Sequence, residues 1–171
     1  MSMLMLLLAA AVADAPADPM EPATRGMLQC HAPDDVKKTC KSLASYTAKG
    51  DGTYTNDAIL LIAPDGPLTL RTSSIVRVKD GAICGTLTTK QFDKAQLFYG
   101  DTVIPPGRAD PILDRIEDAM TSFIGKEICS TYTPGENGLL VASPTVDGAA
   151  RPELKQNIRW VSPGDGYKVA P

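Results

Sequence analysis

The residues that could carry chemistry are few: four cysteines, a single histidine and scattered carboxylates. Among the carboxylates Glu127 stands out. It follows Gly125, which stops a helical pattern, and precedes Cys129 by two, so on an extended strand both side chains share a face. A carboxyl on an inward, desolvated face keeps its proton to higher pH and can act as a general acid. With Asp51 or Asp57 as a second carboxylate, Glu127 would be the acid of a hydrolase. The plainer reading pairs it with a basic group at a strand end. His31 is the only imidazole, and it sits beside Cys30, so any triad with histidine as base must be built there. Common catalytic signatures are missing: no Gly-rich loop followed by Lys-Ser/Thr, no His-Glu-x-x-His and no Gly-x-Ser-x-Gly. The run Asp51-Gly52-Thr53-Tyr54-Thr55-Asn56-Asp57 has an acid at each end. Thr53 and Thr55, however, hold alternate positions where a calcium loop needs acids or amides, so it reads as a turn. No cofactor or metal is expected, and Glu127 is the single catalytic candidate.

The cysteines are Cys30, Cys40, Cys84 and Cys129. None forms a Cys-x-x-Cys pair, which removes the usual zinc and redox readings. An even number in an oxidising compartment favours two disulfides, and three pairings are possible. Cys30–Cys40 with Cys84–Cys129 is favoured, because the first two flank a short helical turn and the others sit in apolar strand-like runs. On the loop-entropy model these links contribute on the order of 3 and 4 kcal/mol.

The elements that must position these residues follow an apolar leader. Met3–Val12 carries no charge and is too short to span a bilayer, which needs roughly 20 apolar residues. It matches the core of a secretory signal, and Ala11-Val12-Ala13 offers the small side chains that signal peptidase requires. The expected organisation is a signal peptide over 1–13, a disordered Pro/Ala-rich spacer over 14–26, and one disulfide-containing domain over 27–171. The rival reading of the leader is a buried N-terminal helix. A net charge of −3 lacks the basic footprint of a nucleic-acid binder. Lys37, Lys38 and Lys41 read as a solvated face. Aromatics make up only 5% of the chain, which argues against a stacking platform for sugars or bases.

Within the domain, Pro33–Lys41 is expected to form a short helix with acids near its start. Hairpin signals dominate afterwards. Asp80-Gly81 suits a two-residue turn with both φ positive, and Ser73-Ser74 marks a shift in alternation that reads as a bulge. The one long helix is expected over 110–124, capped by Asp110 with Pro111 in its first turn. Ile112, Leu113, Ile116, Met120, Phe123 and Ile124 form its apolar stripe. These elements predict an α+β domain, an antiparallel sheet of hairpins with one packed helix.

Met27-Leu28-Gln29-Cys30, Gly50-Asp51-Gly52-Thr53-Tyr54, Ala82-Ile83-Cys84-Gly85, Gly125-Lys126-Glu127-Ile128-Cys129, Arg159-Trp160-Val161 and Gly166-Tyr167-Lys168-Val169 together resemble short exported alphaproteobacterial proteins of unknown function. The resemblance covers most of the domain and implies export, with no activity to carry over. The expected function is a non-catalytic binding or structural domain, periplasmic or secreted, with an envelope partner and no integral membrane segment once the signal is removed. The alternatives are an exported hydrolase inhibitor, presenting Pro105-Pro106-Gly107-Arg108 or Pro134–Gly138, and the carboxylate hydrolase built on Glu127.

Overall fold

The computed structural model describes residues 18–171 apart from Pro64, so the expected signal at 1–13 lies outside the described residues. Strands dominate: β1 (Leu28–His31), β2 (Thr39–Cys40), β3 (Ser42–Ala48), β4 (Thr53–Leu61), β5 (Leu68–Lys79), β6 (Ala82–Thr86), β7 (Gln96–Tyr99), β8 (Thr102–Val103), β9 (Glu127–Pro134), β10 (Leu140–Val146), β11 (Ala149–Ala150), β12 (Gln156–Val161) and β13 (Lys168–Val169). The helices are α1 (Glu21–Thr24), α2 (Thr89–Asp93) and α3 (Pro106–Met120).

Taken in chain order, β1, β3, β4, β5, β6, β9, β10 and β12 each pair antiparallel with the next. β12 then pairs back onto β1, from Leu28↔Val161 to His31↔Ile158. The eight strands therefore close into an up-and-down barrel, and the fold is mostly β. This overturns the expected α+β hairpin sheet with a packed helix. Hairpin signals are local, whereas the closing ladder joins the two ends of the domain and leaves no local mark. Closure also satisfies the backbone groups that an open sheet would leave at its edges.

Several local elements differ from expectation for identifiable reasons. Pro33–Lys41 forms no helix: Asp34 Oδ1 accepts the N–H groups of Val36 and Lys37, and Asp34 forms a bridge with Thr39. Those two bonds are the pattern that opens a helix, but the exchange of backbone hydrogen bonds between Asp34 and Thr39 and the left-handed φ of 56° at Lys38 end it within one turn. The β4–β5 register runs unbroken through Asp57↔Ser73 and Asn56↔Ser74, so there is no bulge. What changes near there is the other neighbour of β5, β7 along its first residues and β6 along its last. The long helix begins at Pro106, one turn before Asp110, because a proline is pre-set for the first helical position. Pro111 lies inside it, and Met120 ends it. Asp80-Gly81 does form the hairpin turn, with φ of 51° and 74°.

The segment between β6 and β9 leaves the ring as α2, β7, β8 and α3. Ala109, Ile112, Leu113 and Ile116 of α3 pack on Leu70, Leu97 and Leu60, a second core beside the barrel. A third lies outside β1, where β13 runs parallel to β2. There Cys30, Cys40 and Val161 are buried with Leu28, Leu43 and Tyr167 around them.

Residues 18–26, read from sequence as part of the spacer, carry the α1 turn. Met20 beside it is 0% exposed and packs on Val76 and Ile83, with Tyr46, Tyr54 and Tyr132 around it. No helix among the described residues is long and apolar enough to cross a membrane. The outer barrel face carries Asp57, Arg71, Arg77, Lys79 and Glu127, charges that a lipid-facing strand surface would not present.

Candidate functional site

Side chains alternate between the faces of a strand, so register decides which set enters the barrel. Gln29 stands opposite Ala44 and Trp160, and Ala44 stands opposite Ala58. Further round, Tyr54 and Gly85 stand opposite Val76, and Ile128 opposite Gly85. Of this set, Gln29, Ala44, Ala58, Val76, Gly85 and Ile128 line a cavity of ≈ 440 Å³. Eight strands leave an interior that is either filled by side chains or holds one small ligand. Here Ala44, Ala58, Gly85, Ser74 and Ser130 are too small to fill it. Gly85 suits a close approach: a Cβ there would lie 3.1 Å from Val76 Cγ1 and 3.2 Å from the Ile75 carbonyl oxygen.

The two ends differ. Met20, Val76 and Ile83 with the three tyrosines stopper one end. The other is lined by His31, Gln156, Thr86, Leu87 and Gln91. Register accounts for this: His31 and Ile158 pair at the far end of β1 from Leu28, and the α1 turn precedes Leu28 directly.

The interior carries a polar network. Tyr46 donates its hydroxyl to Gln29 Oε1 at 2.7 Å, and His31 Nε2–H donates to the same oxygen at 2.9 Å. Gln156 Nε2 donates to His31 Nδ1 at 2.9 Å, which fixes the imidazole as the neutral Nε2–H tautomer. The Tyr46 ring is braced by Trp160, their centroids 5.9 Å apart. Gln29 is 1% exposed, yet among the described residues its Nε2 completes no hydrogen bond, and neither does the buried Asn56 Oδ1. Burial pushes the Tyr46 and Tyr132 hydroxyls above the ordinary phenol range; the Gln29 and Ser130 side chains, which approach Tyr132, offset part of its rise. Among the described residues, no Asp, Glu, Lys or Arg lines the cavity.

Burial lowers the His31 pKa to about 4 from 6.5. Between these values the unfolded chain takes up a proton that the folded one refuses. Stability is therefore intact above pH 6.5 and falls as pH drops towards 4, by up to about 3 kcal/mol. Urea midpoints at pH 7 and pH 4.5 should differ more for the native chain than for His31→Gln, which has no imidazole to protonate. Equal pH dependence in the two proteins would contradict this account.

The residues singled out by sequence lie elsewhere. Glu127 is on the outer face, where Arg77 Nη2 and Lys79 Nζ reach its carboxylate at 2.5 and 2.9 Å. The Lys79 hydrogen bond comes first among the effects that hold its pKa below the usual carboxylate value, with both cations adding to it, against partial desolvation. An acid held ionised is the reverse of a general acid. Asp51 accepts from the Thr53 N–H and hydroxyl in the β3–β4 turn, and its pKa is lowered by those bonds. Asp57 lines a different surface groove from Glu127, so the three carboxylates do not converge. Cys30 is bonded to Cys40 and Cys84 to Cys129, the favoured pairing. Cys84, Cys129 and Glu127 offer ligand atoms within 4.8 Å of one another, but the sulfurs belong to a disulfide and supply no thiolate. Pro106-Gly107-Arg108 opens α3 instead of forming a protruding loop. The Asn137 carbonyl in the β9–β10 turn accepts from Arg159, which ties that loop back.

Gln29, His31, Tyr46, Asn56, Ser130, Tyr132 and Gln156 were missed as a set. The signal lay in period-two spacing, Gln29-x-His31, Ser42-x-Ala44-x-Tyr46 and Ser130-x-Tyr132. An open sheet would place such residues in solvent, and only closure turns them inward. Comparison with family models, curated proteins and solved structures finds no match to this chain, so the site rests on its own geometry.

Proposed function

We propose that this chain is an exported, non-catalytic binding protein whose barrel interior receives one small molecule through the end lined by His31 and Gln156. The observation that carries the reading is the pair of buried polar atoms around the cavity, Gln29 Nε2 and Asn56 Oδ1, that complete no hydrogen bond among the described residues, although the Gln29 side chain approaches the Tyr132 hydroxyl. Buried polar groups are nearly always hydrogen-bonded, and an orphan among them calls for an explanation. A volume of ≈ 440 Å³ falls within the range of about 300–1,000 Å³ typical of small-molecule sites. Export is supported by the leader ending Ala11-Val12-Ala13 and by the two disulfides, which persist in oxidising compartments. The envelope partner expected from sequence becomes, on this reading, a diffusible ligand. Ring closure also uses the edges of the eight barrel strands, which leaves a partner strand only the short edges of β8, β11, β2 and β13.

The test is a titration with N-phenyl-1-naphthylamine, an uncharged dye whose emission rises out of water. Saturable binding at one site per chain is expected. Ala58→Phe, which projects a ring into the cavity, should weaken it at least tenfold while leaving the circular dichroism spectrum and urea midpoint close to native. Non-saturating emission, or equal binding by Ala58→Phe, would refute the reading.

A further inference from the structure

We infer that the ligand of the barrel interior is an uncharged, planar molecule that carries both a hydrogen-bond acceptor and a hydrogen-bond donor, as a carboxamide does. The inference rests on the interior being the binding site and adds the chemistry of what enters it. Gln29 Oε1 is already committed to Tyr46 and His31, so the side chain has only its Nε2–H donors to offer, and of these one points towards the Tyr132 hydroxyl without completing a hydrogen bond. Asn56 has its Oδ1 acceptor left over. A ligand that satisfies both must accept from one and donate to the other, as an amide, lactam or cyclic urea does and a simple hydrocarbon does not.

Charge is excluded by the lining. Among the described residues no Asp, Glu, Lys or Arg faces the cavity, and the imidazole there, His31, is held neutral by its two hydrogen bonds. An anion or cation entering would lose its hydration and meet no counter-charge. A neutral amide exchanges its water hydrogen bonds for those of Gln29 and Asn56. Planarity follows from the walls. The Tyr46 and Tyr132 rings line the cavity and Trp160 fixes the first of them. A flat ring can stack on them.

The probes are benzamide, benzoate and benzamidine, one ring and nearly one shape with neutral, negative and positive head groups. Each is titrated into the 15N-labelled full domain at pH 7 and followed by the amide resonances, side-chain amides included. Benzamide is expected to move the Gln29 and Asn56 side-chain signals saturably, with an affinity at least tenfold above either charged probe. Asn56→Asp is expected to reverse the order, favouring benzamidine by supplying the missing counter-charge. If benzoate or benzamidine binds the native interior as well as benzamide does, the ligand-class inference falls and the binding reading stands. If no probe moves interior signals, the inference also falls. The dye titration then decides separately whether the interior binds small molecules at all. The native-chain comparison needs no variant, so a misfolded Asn56→Asp would not shelter the inference.

Discussion

Met20→Ala should destabilise the fold by about 2–5 kcal/mol, the usual range for deleting a large buried aliphatic side chain. Met20 is fully buried, and its neighbours come from opposite sides of the barrel: Val76 from β5, Ile83 from β6, Tyr46 from β3 and Tyr132 from β9. These strands are fixed in place by their ladders, so they cannot collapse onto a smaller side chain, and the cavity cost should fall in the upper part of that range. The measurement is urea unfolding at pH 7, with Val36→Ala as control. Val36 is 95% exposed and should leave the midpoint unchanged. If Met20→Ala unfolds at the native urea concentration, Asp18–Gly26 does not stopper the barrel and the interior is open at both ends.

Removal of Cys84–Cys129 by paired alanines should cost about 4 kcal/mol, and removal of Cys30–Cys40 about 3 kcal/mol, on the loop-entropy model. The difference follows from sequence separations of 45 and 10. Cys84 and Cys129 are register partners on adjacent barrel strands, so the backbone there stays paired when the sulfurs are gone. Their loop contains α2, β7, β8 and α3, and the disulfide limits how far this insertion can wander in the unfolded chain. Cys30–Cys40 instead holds β2, and with it β13, over the outer face of β1. Its loss should also expose Tyr167, giving faster hydrogen exchange at the C-terminal residues. Urea midpoints with and without dithiothreitol, on native and paired-alanine proteins, separate the two contributions. Greater loss from the Cys30–Cys40 pair would mean that packing over β1, not loop closure, dominates.

Both predictions depend on closure, and closure was the least legible property of the chain. Turns such as Asp80-Gly81 were readable, because positive φ at two successive residues needs residue types that tolerate it. So were most strands, since alternation is written in neighbouring residues. The Cys84–Cys129 pairing was readable for a related reason: both residues sit in apolar runs with strand character. The helix was legible as an apolar stripe at Ile112, Leu113 and Ile116, though its start at Pro106 was not. The short helix at Pro33–Lys41 failed because the Asp34 backbone pairs with Thr39 and Lys38 takes a left-handed conformation.

The site was read least well, and Glu127 shows why. From sequence it was an acid on a strand face of unknown sense. Closure turned that face outward, between Arg77 and Lys79, and turned Gln29, Tyr46 and Asn56 inward. A one-residue change of register would exchange the two sets. By itself, the sequence determined the turns, the spacing of polar and apolar side chains and the residues available for disulfides, because each depends on contacts a few positions apart. Only the tertiary structure decided which face is inside, since that is set by β1 meeting β12 across more than a hundred intervening residues, a contact whose energy no local pattern records.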